Sequence, residues 1–306
     1  MQTAALRIGT RGSPLALAQA EETARRLGAI GIPRQAIDIV VIKTTGDVVT
    51  DRPLGEAGGK GLFAKEIEEA LFAGTIDVGV HSAKDMPTVL PPGLHLAGYL
   101  PREDVRDAFI SPAAASLVEL PDGAVLGTSS LRRRAMALRQ RPDLRPVEFR
   151  GNVQTRLRKL AEGVAHATLL ALAGLKRLAM DDRVTAILDP EIFVPAAGQG
   201  AITLEIRDGD RATADRVAPI LDATTAPVVG AERAFLGALD GSCRTPIGGY
   251  ATIDARGELS FHGLIISPDG REAHETRRKG SAVDFERLGR DAGEELKRRG
   301  GPRFFG

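Results

Sequence analysis

The feature that most constrains this chain is a strand–turn–helix pattern that begins, runs its course and begins again. Leu6 to Thr10 reads as a short strand. Ser13-Pro14 follows, a capping serine with proline at the first helical position, and opens a helix to about Leu27. Ile37 to Lys43 is a nearly continuous β-branched run, which predicts a buried strand of a parallel sheet. After a polar, glycine-rich loop over 45–61, Leu62, Phe63, Ile67, Ala70 and Leu71 give a helical stripe, and Ile76 to Val80 the next strand. Val125-Leu126-Gly127-Thr128 then repeats the ending of Ile8-Gly9-Thr10, with Ser129-Ser130 capping a helix to about Gln140. Val147 to Phe149 precede Arg150-Gly151-Asn152 and another helix, and Ala167 to Leu172 form a further strand. Two rounds of alternation predict two like α/β domains with a cleft between them.

From about Ala212 the character changes to two helical stretches, then alternating strands at Tyr250 to Ile253, Leu259 to Ile266 and Glu272 to Arg278. A closing helix places Phe285, Leu288, Ala292 and Leu296 on one face. The expected division is an α/β domain over 1–99 completed by about 200–217, a second over 100–199, and a small α+β domain over 218–306. Chain crossings are expected at 101–104 and 195–200.

Cys243 is the sole cysteine, so neither an intramolecular disulfide nor a zinc site built on cysteines is open to the chain. It is a buried hydrophobe, a surface thiol or a nucleophile. Its flanks, Gly241-Ser242 and Arg244-Thr245-Pro246, make a turn that presents a side chain, and Arg244 favours the thiolate. The absence of paired cysteines agrees with a reducing compartment. No apolar run approaches the roughly 20 residues of a membrane span, and the first five residues lack the pattern of a signal peptide. The expectation is therefore a cytoplasmic protein.

Net charge is +1, yet the basic residues concentrate in the middle of the chain, at Arg132-Arg133-Arg134, Arg150, Arg156 and Lys176-Arg177. Helix N-termini disfavour cations. Here Arg11 precedes one helix, Arg132 to Arg134 occupy the first turn of a second, and Arg150 precedes a third. That placement is either a solvated face carrying a small penalty or a place where an anion is held. Its recurrence at three strand-to-helix turns, which in open α/β sheets line the ligand crevice, favours the anion. The guanidinium fork matches carboxylate or phosphate.

His81-Ser82-Ala83-Lys84-Asp85-Met86-Pro87 follows a strand and occupies an equivalent position. Asp85 is either a turn cap or a carboxylate that stabilises positive charge. Gly55 to Gly61 imitates a phosphate-binding loop, but the glycine spacing is one residue short, and Gly61 stands in place of serine or threonine. It reads instead as a lid carrying Lys60. The five histidines have no metal-ligand spacing, so no metal is expected.

These stretches, with Gly58-Gly59-Lys60-Gly61-Leu62-Phe63, Ala173-Gly174-Leu175-Lys176-Arg177-Leu178 and Glu232-Arg233-Ala234, occur in an order that resembles the porphobilinogen deaminases (hydroxymethylbilane synthases) nearly end to end. The resemblance implies two α/β domains like periplasmic binding proteins flanking a cleft, plus a small C-terminal α+β domain. It implies a dipyrromethane cofactor held by Cys243 through a thioether. On that primer four porphobilinogen molecules are joined head to tail with loss of ammonia, and hydrolysis frees hydroxymethylbilane, a precursor in porphyrin biosynthesis. Asp85 takes the catalytic role. Lys84, Asp85, Thr128, Ser129, Ser130, Arg132, Arg133, Arg150, Gly151 and Arg156 are implied around the cofactor. Arg11, Ser13, Gln19, Lys60, His81, Ser82, Arg150, Arg156, Arg177 and Gln199 are implied around substrate. Glu56 stands where many members have lysine, so from that loop Lys60 alone is carried over. The resemblance also implies a monomer. A binding module of the same architecture would have no use for Cys243 on a turn. A nucleic-acid binder fits poorly with near-neutral charge and 4% aromatic residues.

Overall fold

The computed structural model describes residues 5–45, 61, 63–239 and 245–305. Strand β1 (Leu6–Arg11) leads into helix α1 (Pro14–Ala29), capped by the Ser13 hydroxyl, which accepts from the Ala16 N–H at 3.3 Å. Strand β2 (Ile37–Ile42), helix α2 (Lys65–Phe72), strand β3 (Val78–Ser82) and strand β4 (Leu94–Tyr99) follow. The chain continues through β5 (Asp107–Ile110), β6 (Val125–Gly127), α3 (Leu131–Gln140), β7 (Arg145–Val147), α4 (Val153–Ala161), β8 (Ala167–Ala171), α5 (Leu172–Arg177) and β9 (Ala186–Ile187). It then forms β10 (Ile202–Arg207), α6 (Arg211–Val217), α7 (Thr225–Ala238), β11 (Ile247–Ile253), β12 (Glu258–Ile266), β13 (Ala273–Ser281) and α8 (Phe285–Gly300).

The chain divides into two compact units, Met1–Glu103 with Ala201–Ala226, and Asp104–Gly200 with Pro227–Gly306. The first holds a five-stranded sheet of order β2-β1-β3-β10-β4, in which β1 runs parallel to β2 and β3 while β10 is antiparallel to both its neighbours. The second holds a five-stranded sheet of order β7-β6-β8-β5-β9 built to the same plan, with β5 as the antiparallel member. It also carries the antiparallel sheet β11-β12-β13. Leu264 and Ile266 of β12 join Phe109, Leu126 and Leu169 in one buried cluster, which is why these two sheets share a unit. In the first unit Leu6, Ile8, Ala20, Leu27, Val78, Val80 and Leu204 close one face of the sheet, and Ile67, Leu71 and Ile76 the other. The predicted α/β class, with a small α+β tail, is the class observed.

Two local expectations are corrected. β2 was expected to be buried, but it is the sheet edge, and Val41 on it is half exposed. A β-branched run marks strand propensity, whereas burial depends on whether a further strand pairs outside it. β3 extends to Ser82 and so contains His81, which the sequence placed after the strand. Pairing of His81 with Thr203 of β10 continues the ladder.

The strand order reverses at β1 in the first sheet and at β6 in the second, so the turns following β1 and β3, and those following β6 and β8, fall at topological switch points. The repeated Gly-Thr at the ends of β1 and β6 has a packing cause as well. A Cβ on Gly127 would lie 2.6 Å from the buried Phe149 ring, and Gly9 is closely covered by Ile76 in the same way.

Candidate active site

In the first unit the turn after β1 and the turn after β3 border an open pocket. Arg11, Ser13, Gln19, Phe63, His81, Ser82 and Asp85 line it. Arg11 ends β1, and its guanidinium lies over the Phe63 ring, 3.9 Å from the centroid, a cation–π contact that holds the charge at the wall. Thr10, buried beside it, donates its hydroxyl to the Ala16 carbonyl at 3.1 Å and fixes the start of α1. Gln19 is buried on α1 and donates Nε2–H to Ser82 Oγ at 2.8 Å, joining helix to strand across the pocket floor. Asp85 closes a single 3₁₀ turn, Ala83–Asp85, and is exposed. Lys84 on the same turn is exposed and is not part of the pocket wall. His81 is buried, with Nε2 3.0 Å from Glu205 Oε2.

In the second unit the turn after β6 is stitched by hydroxyls. Thr128 Oγ1 accepts from the Ser130 N–H at 3.2 Å, Ser129 Oγ from the Phe149 N–H at 2.9 Å, and Ser130 Oγ from the Arg133 N–H at 3.4 Å. In each bond the hydroxyl oxygen is the acceptor, so the O–H is not what stitches the turn and suits a carboxylate.

Arg132 and Arg133, in the first turn of α3, are buried rather than solvated. The anion they meet is the chain's own Asp107, at the start of β5. Arg132 reaches Asp107 Oδ2 at 2.7 Å, and Arg133 donates Nε–H and Nη2–H to Oδ1 at 3.0 and 2.7 Å. Arg132 also donates to the Val194 carbonyl, Arg133 to the Leu169 carbonyl, and Gln199 Nε2–H to Asp107 Oδ1 at 3.0 Å. Burial works to raise the Asp107 carboxyl, but the charges of Arg132 and Arg133 outweigh it and hold it at about 2. Two guanidiniums against one carboxylate leave a surplus positive charge.

That surplus is felt next door. Arg156 on α4 is pushed down to about 10 by burial and then by the charges of Arg133 and Arg150. Its Nε–H donates to the carbonyl of Gly151, a residue with φ of 122°, which favours glycine. The Arg150 carbonyl accepts from Lys159 at 3.0 Å. Arg133, Arg150 and Arg156 thus form a cationic group that an external anion would relieve. Arg177, at the end of α5, donates to the Gly200 carbonyl at 2.8 Å.

Of the residues singled out in the sequence, six line the pocket of the first unit, and Arg132, Arg133 and Gln199 converge on Asp107. Cys243 and Lys60, with Glu56, lie outside the described residues. Sequence reasoning missed Asp107 and Glu205. Each is an acid written into an apolar strand, which demands a partner, and that was the available signal.

The comparisons with known proteins agree along the chain. Residues 6–215 match the family model described as porphobilinogen deaminase, dipyromethane cofactor binding domain, and residues 226–298 match that of the porphobilinogen deaminase C-terminal domain. The chain is 58% identical over 300 residues to a porphobilinogen deaminase of Nitrobacter hamburgensis, covering 97% of this chain and 94% of that one. It is 57% identical, with the same coverage, to that of Nitrobacter winogradskyi. Among solved structures, an ABC transporter protein from Parabacteroides distasonis matches at 10% identity with a TM-score of 0.44, over 71% of each chain. A periplasmic sulfonate-binding protein from Methylobacillus flagellatus matches at 15% and 0.40, over 78% of this chain and 68% of that one. Those two likenesses are too distant to carry an argument. The family models and the close relatives span both units, and the chain belongs to the porphobilinogen deaminase family.

Proposed function

We propose that this chain joins four porphobilinogen molecules head to tail, releasing one ammonia for each, and frees the linear product hydroxymethylbilane by hydrolysis. The observation that carries the reading is the pocket of the first unit, which the exposed Asp85 and the Arg11 guanidinium both line. Every porphobilinogen brings two carboxylates to be bound and one developing positive charge to be stabilised, and the pocket offers one group for each task.

A dipyrromethane fits the residues present. Its acidic side chains need cations, and the guanidiniums of Arg133 and Arg150 lie near enough to Arg156 to lower its proton affinity. Ser129, Ser130 and Thr128 would add O–H donors, Gly151 a close backbone approach, and Cys243 the covalent anchor. When bound, the dipyrromethane supplies a tethered pyrrole whose free α-carbon receives the first unit. Tethering also makes each addition effectively intramolecular.

Arg11, with Ser13 and Gln19, would hold the incoming molecule by its carboxylates. As ammonia departs, the methylene carbon becomes electron-poor and positive charge spreads into the ring. The Asp85 carboxylate stabilises that charge, at about 4 kcal/mol for a separation of ~4 Å in an effective dielectric near ~20. Such a preorganised charge is worth roughly 10²–10³ in rate. Arg177, Lys60 and Lys84 would serve the carboxylates of later rings. The division into three domains, at 1–99 with about 200–217, 100–199 and 218–306, belongs to the same reading and is supported by the separate β11-β12-β13 sheet. So does a cytoplasmic monomer with no nucleic-acid or membrane partner, supported by near-neutral charge and scarce aromatics. Among the described residues, no helix is long and apolar enough to cross a membrane.

The test is stoichiometric. Purified protein given porphobilinogen should release four molecules of ammonia per linear tetrapyrrole. Binding of porphobilinogen without ammonia release would overturn the reading.

A further inference from the structure

Behind the pocket wall lies a group of ionisable side chains that the mechanism above does not use. Glu205 is fully buried on β10, where Ile202, Leu204 and Ile206 are core residues. Its Oε2 lies 3.0 Å from His81 Nε2, and its Oε1 has no hydrogen-bond partner among the described residues. Gly79 stands opposite Glu205 in the ladder. A Cβ on Gly79 would come within 2.8 Å of His81 Nε2, so the glycine leaves the space in which the imidazole reaches Glu205. Glu68, buried on α2, is raised first by burial and then by the charge of Glu205, and is opposed by His81, which places it in the same group. Among the described residues, the other charged side chains that line the pocket with the imidazole are Asp85 and Arg11.

Packing alone gives no reason for this arrangement, because an aliphatic side chain would fill a strand interior without the desolvation cost of a carboxylate. The imidazole is tied at one nitrogen to the interior and forms part of the pocket wall. We propose that Glu205 is a positioning residue that holds His81 as the Nε2–H tautomer, and that His81 accepts at Nδ1 the proton lost at each addition. This rests on the porphobilinogen reading.

The step balances without an oxidant or reductant. The aminomethyl group reacts as its ammonium form, so that when the C–N bond breaks the nitrogen leaves with the electron pair as neutral ammonia. The methylene carbon takes a π pair from the terminal pyrrole of the growing chain, itself a porphobilinogen unit from the second addition onward, and the C–C bond forms. The α-carbon C–H bond then breaks, its electron pair restores the ring, and its proton passes to His81 Nδ1. The imidazolium faces the Glu205 carboxylate and yields the proton to water or to the departing ammonia. A base ordered by a buried carboxylate is a common device, since the partner fixes tautomer and orientation.

Two measurements test this. In ¹⁵N-histidine spectra of the wild-type holoenzyme, with His81 assigned by difference from His81→Gln, the expected state at the working pH is a protonated Nε2 and a bare Nδ1. A proton on Nδ1, alone or together with one on Nε2, overturns the proposal. The second measurement is the kinetics of Glu205→Gln with porphobilinogen deuterated at its free α-carbon. The expected result is a fall in kcat of about 100-fold, the size of one general base, with KM little changed and an isotope effect larger than in wild type. Unchanged kcat, or a fall without an isotope effect, contradicts the proposal and reduces Glu205 to a structural residue. A wild-type protein that releases no ammonia removes the functional reading itself, whereas normal wild-type turnover beside an unaltered Glu205→Gln removes this inference alone.

Discussion

Asp107 is where the charge of the second unit is decided. Its carboxyl is held at about 2 against an ordinary 3.8, because Arg132 and Arg133 outweigh the effect of burial. A lowered carboxyl contributes stability that is complete above the unfolded value, near pH 4, and is lost as pH falls through about 2. The size is about 2 kcal/mol. Asp107→Asn should therefore destabilise the protein at pH 7 by about 3 kcal/mol or more, since it leaves two buried guanidiniums without their counter-ion. The gap between wild type and variant in urea midpoints should narrow below pH 4. A gap that stays constant down to pH 2.5 would show that the pair is not what the carboxylate contributes. Asp85 presents the opposite case. It is exposed on a short turn, so Asp85→Ala should keep its unfolding free energy in urea within about 0.5 kcal/mol of wild type while turnover falls roughly 10²–10³-fold. Near-normal turnover would remove the carboxylate from the mechanism.

At the scale of elements, the two βα turns share one design, a glycine in the strand beneath a large side chain and a hydroxyl residue at the helix cap. Gly127→Ala should destabilise by about 1–3 kcal/mol, because its Cβ would meet a Phe149 ring that has no room to withdraw. Urea denaturation measures this, and an unchanged midpoint would mean that the ring is not confined. What could be read from the sequence follows the same local logic. β1 with α1, and β6 with α3, were legible because cap, proline and apolar stripe lie within a few residues of one another. β5 and β10 carried no such signature. Each is the antiparallel strand of its sheet, placed by partners far along the chain, and each conceals an acid whose partner lies on another element. Arg132 and Arg133 could be recognised as needing an anion, but not that Asp107, 25 and 26 residues earlier, supplies part of it. The edge position of β2 was illegible for a related reason, since nothing within a strand says whether another will pair beyond it.

For the whole molecule, one unit offers a carboxylate that can stabilise positive charge, and the other a guanidinium group that can hold an acid. Neither feature alone distinguishes an enzyme from a module that binds a carboxylate. The sulfur does, because a binding module has no need of a covalent primer. The most direct measurement is the intact mass of the purified protein. The account predicts a species heavier than the polypeptide by one dipyrromethane, and Cys243→Ser at the polypeptide mass alone with no turnover. A wild-type protein that turns over porphobilinogen at the bare polypeptide mass, or a serine variant that keeps the adduct, would contradict it.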